Sequence, residues 1–267
     1  MKKQIISVIL LFAIALSCFT GCSSWNQTNT YQGETLDEQD VYVIHDGTTM
    51  ILTTTPGLFR PHISRVQDEE WRNEITKVII RDNIKTWDID YWFRDMPNLV
   101  TIEGLEKLDT SQVPFFTQMF SGCKSLRNIS GISQWDTSAA EYMSEMFYGC
   151  QSLTTLDLSG WDVSHVNDMY SMFAYSGLVE IKGMDNWNTA SLHSVTSMFK
   201  DCKNLKNIGN LENWDMSYVG SMQSMFEGCE SLEDIGDLNK WNLPEDINDF
   251  HTFYGCSSLR RLPAWAY

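Results

Sequence analysis

The chain has 267 residues, and its 19 Lys and Arg against 35 Asp and Glu give a formal net charge of −16. Such a balance lacks the basic surface on which nucleic-acid binding depends, so nucleic acid is excluded as an expected partner. Apolar residues make up 43% of the chain and charged residues 20%, a mixture that predicts a folded globular protein. The 10 Trp, 13 Met and 13 Phe are unusually many, and they indicate a short pattern that is copied along the chain.

The first 21 residues have the composition of a secretory signal. Lys2 and Lys3 precede the apolar run of residues 5–16, which is shorter than the ~20 residues that a membrane-spanning helix needs. The segment ends in a glycine before Cys22 and two serines after it, which resembles a bacterial lipobox. We therefore predict Cys22 as the lipidation site. Modification of Cys18, or cleavage without a lipid, remain the alternatives.

A lipid on the first mature residue would anchor the protein at the bacterial cell surface, because two acyl chains bind a bilayer stably. Residues 22–40 are rich in Ser, Asn, Gln, Thr and Asp, and they are predicted to form a flexible tether. The predicted membrane contact is thus through the lipid, since the net charge is negative.

A phenylalanine recurs along the chain at intervals of 27, 27, 26, 26, 27 and 27 residues. These residues are Phe93, Phe120, Phe147, Phe173, Phe199, Phe226 and Phe253. Twelve residues before the last five stands a tryptophan, namely Trp135, Trp161, Trp187, Trp214 and Trp241. Three residues after five of them stands a cysteine, namely Cys123, Cys150, Cys202, Cys229 and Cys256. A period in the twenties is typical of a solenoid. We predict repeats of 26–27 residues over residues 81–267.

Each repeat has two halves with different internal spacing. Val166, Met169 and Met172 are three residues apart, which predicts a short helix or 3₁₀ segment with one apolar face. Residues 153–158 resemble the strand turn of a leucine-rich repeat, so short parallel strands are expected to stack there. The predicted fold class is therefore an α/β repeat solenoid.

A column of Asp and Asn follows the tryptophans, and the segment from Ser138 to Glu141 fits a helix capping box. We interpret these side chains as caps of the helical turns. A calcium-binding ladder is the alternative, although no loop of the sequence brings together the several oxygen ligands that Ca²⁺ requires.

With seven repeats that align on the repeat Phe, the chain is similar to the BspA-type leucine-rich-repeat surface proteins of bacteria. The resemblance covers about residues 71–265, and it is strongest over residues 135–164, where Trp135-Asp-Thr-Ser138 is followed by Met143, Met146 and Phe147. It implies a right-handed leucine-rich-repeat solenoid and a role in cell-surface adhesion. Residues 41–80 are predicted as a small N-terminal cap that contains a β-hairpin over residues 42–52.

No pattern of catalytic residues stands out. The repeat cysteines lack a C-x-x-C spacing, their number is odd, and Ser176 holds the same position in one repeat. Free buried thiols are therefore preferred over disulfides or a metal site, although neighbouring coils are close enough for a disulfide to form. The histidines do not share one repeat position. We predict no enzymatic activity, no cofactor and no metal.

Candidate binding residues lie between the strand leucines, where the side chain varies while the scaffold repeats. They are Arg127, Asn128, Thr154, Thr155, Val179, Glu180, Lys206, Asn207, Glu233 and Asp234. The tryptophans are interpreted as packing residues, with ligand contact as the alternative. A non-catalytic surface module that binds a protein or glycoconjugate is the favoured function. A self-associating envelope protein and an envelope-polymer hydrolase are the other hypotheses, and the sequence leaves the oligomeric state open.

Overall fold

The computed structural model describes residues 40–55, 63 and 69–266. The predicted signal segment, most of the predicted tether, Cys18 and Cys22 lie outside these residues. No helix within the described ranges is long and apolar enough to cross a membrane.

The described residues form short strands that are almost all parallel. In chain order the strands are β1 (Tyr42–Asp46), β2 (Thr49–Thr53), β3 (Lys77–Ile80), β4 (Ile84–Lys85), β5 (Thr101–Glu103), β6 (Leu108–Asp109), β7 (Thr155–Asp157) and β8 (Glu180–Lys182). Five 3₁₀ segments accompany them: Glu70–Glu74, Leu105–Lys107, Ile132–Gln134, Met184–Asn186 and Leu238–Lys240. The described part of the chain is thus a β-solenoid with brief 3₁₀ turns, and it contains no α-helix.

The predicted hairpin is present and belongs to a four-stranded sheet in the order β1-β2-β3-β5. β1 and β2 pair antiparallel around Gly47, whose φ of 54° suits a tight turn, and β2 then pairs with β3 in parallel. The side chains of Val43, Met50 and Leu52 are buried. The hairpin therefore joins the row of coil strands at its N-terminal end. The function of this segment as a cap stays a prediction.

Along one side of the solenoid, successive coils pair through their strand positions. β3 pairs with β5, β7 pairs with β8, and single parallel bridges extend these pairs to Asn128 and Asn207. The sequence prediction of stacked parallel strands is confirmed here. The handedness of the solenoid stays a prediction.

A second ladder runs along another side of the coils, where the sequence predicted short helices or 3₁₀ segments. Single parallel bridges join one residue per coil: Phe115, Tyr142, Asp168, Ser194, Ser221 and Asn248. The backbone amide of Phe147 donates to the Met172 carbonyl of the next coil at 2.8 Å, and that of Phe173 donates to the Met198 carbonyl at 2.9 Å.

The helical prediction for this segment is wrong for a local reason. The residue two before each repeat Phe has a left-handed backbone with φ between 51° and 61°: Tyr91, Gln118, Glu145, Ser171, Ser197, Ser224 and His251. A left-handed residue ends a right-handed helical path, and it turns the next amide toward the neighbouring coil. The three-residue spacing of the apolar side chains thus marks a run of turns rather than a helix.

The core consists of side chains stacked from coil to coil. Neighbouring repeat Phe rings lie 5.3–5.7 Å apart between centroids and are nearly parallel. All five repeat tryptophans are buried, and four of their indole N–H groups donate to a carbonyl of the preceding coil at 2.8–2.9 Å. The packing interpretation of the tryptophans is therefore confirmed. Trp187 Nε1 is the exception, because it has no acceptor among the described residues.

The Asp and Asn column after the tryptophans closes small turns. The Oδ1 atoms of Asp136, Asp162, Asn188 and Asp215 accept from the backbone amide two residues later at 2.9–3.3 Å. Ser138 donates to Asp136 through its hydroxyl as well, so it closes this turn and does not cap a helix as predicted. These side chains stabilise the corner between two parts of each coil.

Candidate functional site

The residues predicted to bind a ligand lie at the surface, on the side of the solenoid that carries the strand ladder. Arg127, Asn128, Thr154, Thr155, Lys206, Asn207, Glu233 and Asp234 are exposed, whereas Val179 and Glu180 are partly buried. We call these ten residues the strand face. Whether they bind a ligand stays a prediction.

Backbone hydrogen bonds hold the strand face in register. The Arg127 amide donates to the Val100 carbonyl at 2.9 Å, and the Lys206 amide donates to the Val179 carbonyl at 2.9 Å. Leu126, Leu153 and Leu205 point inward beside them and are buried. The side chains between these leucines therefore project from a rigid backbone, with one pair in each coil.

Only some of the charged side chains on the strand face form ion pairs or hydrogen bonds. The Glu233 carboxylate forms an ion pair with Arg260, and Asn207 donates to the Glu180 carboxylate at 3.3 Å. Within the described part of the chain, Arg127 and Lys206 form no ion pair. Two exposed cations in a protein of charge −16 thus remain available to an acidic or polar partner.

The sequence reasoning missed a groove of about 470 Å³ at the turn that follows each repeat Phe. The shape of the groove depends on the second residue after each repeat Phe. At this position the backbone is again left-handed in every coil. Over four successive coils this position holds Asp95, Gly122, Gly149 and Tyr175. The Asp95 carboxylate lies over Gly122, and Gly149 leaves a gap between this acid and the aromatic ring of Tyr175. We call this gap the glycine notch.

Polar side chains line both sides of the glycine notch. Gln118 and Glu145 lie on the side that precedes the Phe, and Lys124 and Gln151 lie on the side that follows it. Tyr148 also lines the groove. A repeat alignment could have found the notch, because glycines at one repeat position in adjacent coils are visible in the sequence.

The two tyrosines of the notch are packed against each other. The rings of Tyr148 and Tyr175 meet edge to face, with 5.2 Å between their centroids. Burial, together with the neighbouring Tyr175 and Glu145, raises the pKa of Tyr148, so its hydroxyl is protonated and can donate at neutral pH. Tyr175 remains 39% exposed and offers part of its ring to solvent.

The five repeat cysteines are free thiols that point into the core. Each Sγ donates to the carbonyl of the Phe in the preceding coil, over 2.9–3.2 Å. Burial raises the pKa of Cys123 to about 12 and that of Cys202 to about 11, so these thiols stay protonated. A protonated buried thiol is a poor nucleophile, and these positions serve packing.

The described residues contain no group of three or more His, Cys, Asp and Glu side chains that could hold a metal ion. Burial raises the pKa of Asp90 to about 6, and its Oδ1 accepts from the Thr117 amide at 2.6 Å. Asp90 thus links two coils through the backbone and is not among the residues that line the glycine notch.

The repeat region matches a known family. The family model described as "Mycoplasma protein of unknown function, DUF285" matches residues 87–180 and 178–265. Among curated proteins, none matches the chain. The narrower resemblance to BspA-type proteins stays a prediction.

Two solved structures are similar to the chain. The leucine-rich-repeat protein of T. pallidum is 19% identical with a TM-score of 0.36, and the match covers 85% of this chain and 91% of that one. A leucine-rich cell surface protein from Faecalibacterium prausnitzii is 14% identical with a TM-score of 0.30, and the match covers 91% and 96% of the two chains. At these values neither similarity identifies a function.

Proposed function

The chain belongs to the family described as "Mycoplasma protein of unknown function, DUF285", and from that premise we propose that it is a non-catalytic, surface-anchored binding module. Its ligand is a protein or glycoconjugate of a host or neighbouring cell. Cys22 carries the lipid that holds it on the outer side of the bacterial membrane, and the strand face makes the contact.

The observation that carries this proposal is the division of each repeat into a fixed interior and a variable exterior. The repeat Phe, Trp and Cys side chains are packed or hydrogen-bonded between coils. The strand face changes from Arg127 to Thr154 to Lys206 on the same backbone frame. A rigid frame that presents different side chains in each coil is suited to binding an extended partner.

Charge supports a specific orientation of that partner. Arg127 and Lys206 occupy the same repeat position three coils apart, which is about 14 Å at a spacing of ~4.8 Å per coil. Both side chains are exposed. Acidic groups of a glycoprotein or polymer at about this separation would therefore contact both residues along the strand ladder, where the Glu180 carboxylate between them accepts from Asn207.

The test is binding of the full chain, purified in detergent, to an array of matrix glycoproteins, mucins and bacterial wall polymers at physiological salt. We expect saturable binding to one class, with an affinity reduced at least 10-fold when Arg127→Glu and Lys206→Glu are combined. Loss of two attractive contacts and gain of two repulsive ones accounts for this reduction.

The control is the pair Lys203→Glu and Lys240→Glu. It makes the same change in net charge at exposed ion pairs outside the strand face, where such pairs contribute little to stability. Equal loss of binding in both double variants would show that net charge, rather than the strand face, determines binding. Binding that neither variant changes would also contradict the assignment of this face.

A self-associating envelope protein is the second candidate, and one observation favours it. Tyr218, Phe250 and Tyr254 are 59–66% exposed in the last coils. Exposed aromatic side chains of this kind often belong to protein interfaces. Absence of binding to the whole array, together with self-association at micromolar concentration, would favour this candidate over the first.

A further inference from the structure

The glycine notch is a surface feature separate from the strand face. It lies at the turn after the repeat Phe, and none of its lining residues belongs to the strand face. Gly149 is buried at its floor, and a Cβ on the same backbone would meet nothing closer than 4.0 Å. The space beside Gly149 is therefore not filled by any neighbouring atom.

The end of the notch is an oriented carboxylate. Asp95 leans over Gly122 so closely that a Cβ on Gly122 would overlap the Asp95 carboxylate. The guanidinium of Arg94 donates to Asp95 through Nε at 3.1 Å. The Asp95 side chain is 71% exposed at the rim, so further oxygen lone pairs are available for a ligand hydroxyl.

The backbone groups of the two notch glycines are engaged in hydrogen bonds, both between coils and within each turn. The Gly122 amide donates to the Tyr148 carbonyl, and the Gly149 amide donates to the Ala174 carbonyl, both at 2.8 Å. The Lys124 and Gln151 amides donate to Gly122 and Gly149, at 2.9 and 2.8 Å. An extended peptide could not add a strand here, because strand addition requires unpaired backbone groups. Recognition must come from the side chains.

The side chains offer an aromatic surface beside mixed hydrogen-bonding groups. The phenol ring of Tyr175 provides an apolar face, the carboxylates of Asp95 and Glu145 accept, the Lys124 ammonium donates, and the Gln151 amide does both. Two cations balance two carboxylates, so the notch favours no net ligand charge. A ligand that fits must have an apolar face and hydroxyl groups around its edge.

From this juxtaposition we propose that the glycine notch binds a neutral pyranose saccharide. The C–H face of one sugar ring packs on Tyr175, and the ring lies over Gly149. Its hydroxyl groups bond to the Glu145 carboxylate and the Gln151 amide, and a second ring of the same saccharide reaches the Asp95 carboxylate. The distance from Asp95 to Tyr175 spans three coil spacings, about 14 Å, which accommodates two linked sugar rings.

The experiment is saturation-transfer NMR on the full chain in detergent, with cellobiose, lactose and chitobiose as probes. We expect transfer to the ring C–H protons of at least one disaccharide, with a Kd on the order of 1 mM, since the site is open to water. Transfer to none of the three at 10-fold higher concentration, about 10 mM, would overturn the proposal.

Two variants test the location. Gly149→Asn fills the floor of the notch with a residue that tolerates a left-handed backbone, and we expect the affinity to fall at least 10-fold. Gly255→Asn is the matched control, because it lies at the same repeat position outside the notch, with φ of 79° and no neighbour closer than 3.5 Å. Equal affinity of both variants would place the sugar elsewhere and overturn the site.

A third variant serves in case Gly149→Asn does not fold. Tyr175→Asp removes the ring and introduces the residue that Asp201 supplies at the same position one coil later, also with a left-handed backbone. We expect loss of transfer to the sugar C–H protons, and retained transfer would contradict the stacking. The Arg127→Glu, Lys206→Glu variant should bind the disaccharide normally, so failure of the strand-face function and failure of this inference are distinguishable.

Discussion

At the scale of single residues, a close approach between two backbones explains why a glycine is needed at position 177, which turn propensity alone would not explain. The repeat that begins after Phe173 is one residue short, so Leu178 follows the Phe by five residues rather than six. Gly177 lies in this shortened turn, and its amide donates to the Cys150 carbonyl at 3.1 Å. A Cβ at Gly177 would overlap the backbone carbonyl of Gln151. The missing residue is thus accommodated because this position has no side chain.

Gly177→Ala should therefore destabilise the protein by about 2–4 kcal/mol, since a backbone carbonyl cannot rotate away as a side chain can. Gly220→Ala is the control, because its Cβ would meet only the His193 carbonyl at 4.0 Å and its φ lies outside the left-handed region. It should change stability by no more than about 1 kcal/mol. Urea unfolding measures the free energy of unfolding of both variants. Similar losses in the two would show that the shortened turn can shift to accept a Cβ at Gly177.

At the scale of the repeated elements, buried threonines join one coil to the next. Thr137 Oγ1 donates to the Asp162 carbonyl and accepts from the Asp162 amide, with both distances at 2.8 Å. Thr189 makes the same pair of bonds with Asp215 at 3.1 and 2.7 Å. One threonine hydroxyl thus hydrogen-bonds to both the amide and the carbonyl of a residue in the neighbouring coil. It does so at a corner of the coil that lies outside the strands.

Thr137→Val should destabilise the protein by about 1–3 kcal/mol, because it keeps the shape of the side chain but leaves a partly buried amide without a partner. Thr137→Ser keeps the hydroxyl and loses one methyl group, and it should cost about 1 kcal/mol or less. Urea unfolding compares the two. A larger loss for Ser than for Val would mean that packing, rather than hydrogen bonding, stabilises this corner.

At the scale of the whole molecule, acidic side chains in two kinds of environment give opposite dependences on pH. Hydrogen bonds from a Ser hydroxyl and a backbone amide lower the pKa of four turn carboxyls: Asp136, Asp157, Asp162 and Asp215. Their stabilising effect is present above about pH 4 and is lost as these groups become protonated in acid. Asp90 behaves in the opposite way, because burial raises its pKa to about 6 and the folded protein then binds the proton more tightly.

Asp90→Asn should therefore raise the Tm at pH 7 by about 1–2 °C, because the variant removes a carboxylate that is partly withdrawn from water. The difference should vanish near pH 4, where wild-type Asp90 is protonated in the folded protein. Asp162→Asn should act with the opposite sign, lowering the Tm at pH 7 and losing its effect in stronger acid. Calorimetry from stronger acid up to pH 7 checks both, and a gain for Asp90→Asn that is the same at pH 4 and pH 7 would contradict the assignment.

The repeat period, the inward positions and the packing of the tryptophans could all be predicted from the sequence. A side chain that recurs every 26–27 residues must meet its own copies when the coils stack, so the columns of Phe, Trp and Cys follow from spacing alone. The strand ladder and the hairpin around Gly47 followed from short-range patterns in the same way. These features depend on which residues are apolar and on how often they recur.

The backbone of the Met-rich half of each coil and the position of the glycine notch depend on contacts between coils. The spacing of Val166, Met169 and Met172 fits a helix as well as a run of turns, and the choice depends on amides that find their acceptors in the next coil. The glycine notch exists because Gly122 and Gly149 are neighbours in adjacent coils, with Asp95 and Tyr175 on either side. Such contacts join residues about 27 positions apart, and their geometry is set by the stacking of coils rather than by local sequence.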